Sequence, residues 1–279
     1  MCIRDRDSPS DMIFDTFEDM IFEGSELGHN ILGTKAALAR HGTDSIRRFT
    51  GRTYTTDQMV FSSIGNFSVT TARDTAARYL AERHTPTRSF QRAVPAVTPA
   101  FEKVLNKHTH QVHCIVGARA YDINDERRVP LSLLVNILGG PSANSLLNVL
   151  LREKNGLSYN IEASYSPYND CGFVAIYFSS EHDNADQCRE LIARQIDLMR
   201  RETLSARRLS MAKKQFLAQM AISMENNESY MLGAGKSLLM HDDIDTLEEV
   251  YRKVAAVTAQ QITDVANEIF STTSMLMYK

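Results

Sequence analysis

The chain has 279 residues, 43% of them hydrophobic and 23% charged, a balance that excludes disorder and fibrous repeats and leaves enough apolar surface for a buried core. Its 31 basic residues are offset by 34 acidic ones, so no global field attracts nucleic acid or an anionic membrane, and neither is expected as a partner. Cys2, Cys114, Cys171 and Cys188 share no CxxC spacing; this argues against a zinc ribbon or a disulfide scaffold and fits a reducing, cytoplasmic compartment.

Residues 1–6, "MCIRDR", are expected to be a non-native leader, because they stand directly before a capped helix and are too charged for a secretory segment. "SPSDMIFDTFEDMIF" then supplies a cap, an early proline and apolar residues at Met12, Ile13, Phe17, Met20 and Ile21, which predicts an amphipathic helix. Gly24, Gly28 and Gly33 break it; Thr34 caps a short helix to about His41, and a further helix is predicted over 43–54. "QMVFSSIGNF" reads as a strand and "SVTTARDTAARYLAERH" as another amphipathic helix. No apolar run approaches the ~18 residues of a membrane span.

Residues 85–103 hold three of the seven prolines and little periodicity, so they are expected to be a linker between a first domain over 7–84 and a second over 104–279. In the second, "KHTHQVHCIVGARAY" predicts a strand, "VPLSLLVNILGG" a helix, and "ANSLLNVLLREK" a helix closed by Gly156. "LSYNIEASYSP" and "FVAIYFSS" form a hairpin across "YNDCG". From 184 to 270 the pattern is helical with breaks near Thr203, Asn226, Asp242 and Ala256, and "SMLMYK" is a last strand. Strands and helices do not alternate as in a doubly wound sheet, so the expected class is α+β, with mainly antiparallel sheets and helices on one face.

"LGAGKSLL" at 232–239 copies the last three positions of a phosphate-binding loop, but Tyr230 stands where the loop needs its first glycine and no strand precedes it. Nucleotide binding is therefore not expected. "HTHQVH" groups His108, His110 and His113; in a strand the first two share a face, yet no third ligand or orienting carboxylate lies nearby, and a solvated strand edge is the better reading. The methionines of "MAKKQFLAQMAISMENNESYML" are expected to fill core gaps between helices.

The stretch "REKNGLSYNIEASY" carries the main site candidates. Arg152 falls in the last turn of a helix, where a cation complements the dipole, and Tyr159 falls on a strand face with Leu157, Ile161, Ala163 and Tyr165 that is equally suited to the core. Spacing alone does not separate a working pair from a helix end followed by a strand.

The longer segment "LGGPSANSLLNVLLREKNGLSYNIEASYSPYNDCGFVAIYF" closely resembles the second domain of insulinase/pitrilysin-type zinc metallopeptidases, the family of mitochondrial processing peptidase. "DSPSDMIFDTFEDMIFEGSELGHNILGT" and "YTTDQMVFSSIGN" resemble the rear of that family's first domain, and "ENNESYMLGAGKSLL" a helix of its second. The resemblance implies two peptidase-type domains, the first incomplete. It implies zinc in the intact parent, held by an HxxEH motif and a distant glutamate that all precede "DSPSD", and hence no metal ligands, no cofactor and no peptidase activity in this chain. It also implies that Arg152 and Tyr159 contact a peptide substrate near the scissile bond. Where the family often has an arginine shortly after the start of the preceding helix, this chain has Leu146. The expected function is thus that of a fragment of a zinc endopeptidase carrying its substrate-binding second domain. The alternative is a non-catalytic partner subunit, in a homo- or heterodimer with a catalytic one; a purely structural scaffold is a third reading.

Overall fold

A computed structural model of the chain describes residues 8–80 and 93–279. The expected leader and residues 85–92 of the expected linker lie outside the described residues. The chain forms two compact units that do not follow chain order. One contains Met1–Leu32, Val94–Phe216 and Arg252–Lys279, and the other Gly33–Ala93 and Leu217–Tyr251.

The first unit is built on a five-stranded sheet. Its strands are β1 (Glu102–Leu105), β2 (Val112–Ala120), β3 (Ser158–Pro167), β4 (Gly172–Ser180) and β5 (Ser274–Tyr278), in the spatial order β1-β5-β2-β4-β3. All neighbours are antiparallel except β1 and β5, so the α+β expectation with a mainly antiparallel sheet holds. Strand β1 begins inside the stretch read as linker. It forms because β5 offers it a ladder, from Glu102 opposite Met275 to Leu105 opposite Tyr278.

Alternation along the strands divides the core in two. On one face Cys114, Ala118, Ile161, Ala163, Val174, Ile176, Phe178 and Met277 meet helices α5 (Arg128–Gly139), α6 (Ala185–Arg201) and α10 (Ala259–Ile269). Helix α10 opens on a capping box, with Thr258 and Gln261 each accepting from the other's backbone N–H. On the other face Ile115, Phe173, Ala175, Tyr177 and Leu276 are covered by helix α1 (Pro9–Ile21).

Helix α1 follows directly from its sequence. Pro9 at the first turn is pre-set for helix, Asp11 complements the positive end, and Ile13, Phe17 and Ile21 recur every fourth residue as one buried stripe. Removing each such side chain from water is worth about 1.5–3 kcal/mol. The far end is clamped by Arg119 of β2, whose guanidinium donates to the carbonyls of Ile21 and Pro95 at 3.4 and 3.1 Å and lies 4.3 Å from the centre of the Phe22 ring. A cation at a helix C-terminus and over an aromatic face is doubly favoured.

The second unit includes α2 (Lys35–Leu38), α3 (Thr43–Thr53), α4 (Val69–Leu80) and α8 (Asn227–His241). Helix α7 (Ala206–Met224) and helix α9 (Leu247–Ala256) carry the chain from one unit to the other. The strand expected at 58–67 does not form. After a 3-10 turn at Thr56–Gln58 the backbone is irregular, and Met59, Phe61, Ile64 and Phe67 are exposed. A strand needs a partner for its backbone groups, and among the described residues this unit contains no strand to provide one. The Ser62 hydroxyl instead donates to the carbonyl of Met231, 2.8 Å away.

The methionines at 211, 220, 224 and 231 do not fill a core: Met211 is exposed and the other three are only half-buried. Met211 and Met220 are nine positions apart, which at 3.6 residues per turn puts them on opposite sides of α7, so no single buried face can take both.

Candidate functional site

The helix carrying Arg152 is not the α-helix its sequence predicts. Leu146 and Leu147 begin an α-helical turn, and the chain then widens into a π-helix over Asn148–Lys154. Leu151 anchors this segment in the core with no exposure. Asn155 closes it by donating from Nδ2 to the carbonyl of Leu150 at 2.7 Å. Gly156 then takes the left-handed conformation (φ 60°), its N–H bonding to Arg152 O at 3.0 Å while Leu157 N–H reaches Leu151 O at 2.8 Å. That six-residue closing bond is one longer than the usual helix-ending pair, as the wider π turn requires. Leu146, in the place of the family's arginine, is half-buried against the core.

Arg152 projects from the last turn with a side chain 60% exposed, and its closest ionic partner is Glu153, Nε to Oε1 at 3.7 Å. A surface pair of that length holds a guanidinium only loosely, so its donors are available to a ligand.

Tyr159 stands where spacing did not put it. Ser158 pairs with Ser180 and Asn160 with Ser179, so the register shifts by one residue and Tyr159 is the extra residue of a β-bulge. Leu157, Ile161 and Ala163 are buried as the alternation predicted, but Tyr159 is turned out and 70% exposed. The reading of Tyr159 as one of a shared core face is therefore corrected, and its phenol has no hydrogen-bond partner among the described residues. Arg152 and Tyr159 thus flank one tight turn as exposed donors on elements fixed in the core, and no hydrogen bond joins their side chains. Nothing in the spacing marks the residue that holds the bulge. Ser158 is 4% exposed, and its hydroxyl lies 2.8 Å from the carbonyl of Ser179 and 2.9 Å from that of Asn160. That role depends on a cross-strand neighbour 21 positions away.

The histidine group is dispersed. His108 adopts a left-handed backbone (φ 52°) and, like His110, lies in the loop before β2, so the two do not share a strand face. His113 alone is in β2, its Nδ1 2.8 Å from the Tyr177 hydroxyl, and burial lowers its pKa. Residues 232–239 run within α8, where a helix interior offers no cradle for phosphate.

No HxxEH occurs in the sequence, and among the described residues no three His, Cys, Asp or Glu side chains converge as a metal site would require. Among the described residues, then, nothing fits a catalytic zinc. Cys114 and Cys171 are not reactive centres either: both are buried free thiols, and burial pushes the pKa of each up to about 12.

Solved structures carry the same fold. The peptidase M16 inactive domain from Pseudomonas fluorescens superposes with a TM-score of 0.86 at 16% identity, covering 99% of this chain and 66% of that one. A protease from Helicobacter pylori gives 0.82 at 15%, covering 99% and 68%. Residues 43–216 match the family model described as peptidase M16 inactive domain, and the chain belongs to the peptidase M16 family. Curated relatives include the uncharacterized zinc protease YmxG of Bacillus subtilis, 29% identical over 268 residues, and an uncharacterized zinc protease of Rickettsia bellii, 27% identical over 274 residues. These alignments cover 95% and 96% of this chain but 64% and 65% of those proteins, so the chain spans about two thirds of their length. Among the described residues, no helix is long and apolar enough to cross a membrane.

Proposed function

We propose that this chain supplies the substrate-binding part of a zinc-dependent metalloendopeptidase, with Arg152 and Tyr159 contacting the peptide beside the scissile bond. The observation that carries the reading is the pairing of two exposed donors, one at the end of a π-helix and one on a β-bulge, on either side of a single turn in a chain of this family. π-Helical turns and bulges recur where a fold aims a side chain at a ligand. The guanidinium offers several donors in a fixed plane and the phenol offers one donor on a rigid arm, so together they can hydrogen-bond a peptide carbonyl and favour negative charge developing on it. In this reading the zinc and the water-activating glutamate belong to a segment of the parent outside this chain, the whole protein cleaves unfolded or small peptides, and it works in the cytoplasm.

The test is peptide binding to the purified chain. Fluorescein-labelled casein peptides are expected to bind with measurable anisotropy change, and Arg152→Ala and Tyr159→Phe are expected to weaken that binding several-fold. Binding that neither substitution alters would sink the assignment. A second reading, a non-catalytic partner subunit, is supported by the description of the matched family model as an inactive domain. The sequence upstream in the same reading frame separates the two: an intact HxxEH with a glutamate about 70 to 80 residues further on favours the enzyme, and degenerate positions favour the partner.

A further inference from the structure

The geometry points to Ser158 as the positioning residue that aims Tyr159 at the ligand. This inference rests on the proposed role of Tyr159 and extends it to a residue that makes no ligand contact. Strict alternation back from Ile161 and Ala163, both buried, would put residue 159 on the same inward face. The bulge prevents this by inserting one residue between the pairs Ser158–Ser180 and Asn160–Ser179. An inserted residue interrupts the ladder and leaves carbonyls without their usual N–H donors.

Ser158 supplies the substitute. Its hydroxyl is within 2.8 Å of Ser179 O across the strand pair and 2.9 Å of Asn160 O on its own strand. This single O–H, shared between the two carbonyls, bridges the two sides of the bulge immediately before Tyr159. The preceding turn is fixed independently, by Leu157 N–H to Leu151 O at 2.8 Å and by the Cys188 thiol 3.8 Å from Leu157 O. With the turn held on one side and Ile161 buried on the other, the conformation of Tyr159 is decided at Ser158. An alanine there keeps the packing volume but removes the donor. Without that bridge across the bulge a regular register, which swings Tyr159 inward, is favoured.

The experiment is a binding cycle on the full chain with fluorescein-labelled casein peptides, comparing wild type, Ser158→Ala, Tyr159→Ala and the double variant. Ser158→Ala is expected to weaken binding roughly 5- to 10-fold, the loss associated with a displaced hydrogen-bonding contact, and to have no further effect once Tyr159 is alanine. Tyrosine labelled with carbon-13 at the ring ε positions gives a spectroscopic signature, in which Ser158→Ala should shift the Tyr159 signal and leave Tyr121, Tyr165 and Tyr278 in place. If Ser158→Ala does not fold, Ser158→Cys, which retains a weak donor, takes its place in the cycle and should give a smaller loss of the same pattern. Equal losses in both backgrounds, or an unmoved Tyr159 signal, would overturn the inference while leaving Tyr159 as a contact. A silent Tyr159→Ala would remove the underlying reading and the inference with it.

Discussion

Phe17 of α1 lies directly over Gly117 of β2, so close that a Cβ on Gly117 would come within 2.8 Å of the ring and within 2.3 Å of the Val174 carbonyl. The absence of a side chain at this one position of the strand lets the helix settle on the sheet. Gly117→Ala is accordingly expected to destabilise the first unit by about 1–3 kcal/mol, the usual cost of overpacking. Chemical denaturation measures that loss, and hydrogen exchange should show α1 opening before the opposite helical layer. Unchanged protection of α1 would mean the helix is held mainly by the Arg119 clamp.

Glu18 sits half-buried on α1, where it accepts a hydrogen bond from the Tyr168 hydroxyl. Burial raises its pKa above the ordinary 4.5, with Asp15 and Asp19 adding to the rise and the Tyr168 bond opposing it. The folded state therefore holds this proton more tightly than the unfolded one, and stability falls as pH rises from about 4.5 through the raised value. Glu18→Gln keeps an acceptor for Tyr168 and removes the buried charge. Its Tm should exceed that of wild type at pH 7, with the gap closing below pH 4.5. Circular dichroism melts across that range check the sign.

The metal content of the purified chain should be substoichiometric in zinc, because the described residues gather no set of ligands for it. Atomic absorption after dialysis is the measurement. One zinc per chain together with peptide cleavage would contradict both the ligand reading and the division of labour proposed above.

In an enzyme restored by joining the chain to a front segment that carries HxxEH, Arg152→Ala should lower turnover by about 10²–10³, the loss typical of one preorganised donor to developing charge. Steady-state hydrolysis of a fluorogenic peptide reads this directly. Unchanged turnover would leave the arginine as a cation at a helix end, loosely paired with Glu153.

Much of the fold was legible because its elements are locally over-determined. Helix α1 carries its first-turn proline and its four-residue stripe within thirteen residues, and the β3–β4 hairpin is bracketed by apolar alternation and the turn at "YNDCG". The breaks between α6, α7, α8, α9 and α10 fall where the sequence marks them. Strand β1 and the stretch 58–67 were misread for one reason: whether an extended segment becomes a strand depends on a partner elsewhere in the chain. Glu102 found β5, and Phe61 has no strand beside it among the described residues.

For the site, the sequence by itself determined the residue types and their order: an arginine at a helix end, a glycine to turn the chain, a tyrosine at the start of a strand. It also determined the family, whose pattern these residues follow. Only the tertiary structure decided which way the tyrosine faces. Helical and strand periods are local properties of the backbone, so sequence can carry them. A π turn and a one-residue bulge are set by bonds between Leu157 and Leu151 and between Ser158 and Ser179, and these bonds exist only once the helix end and both strands have met.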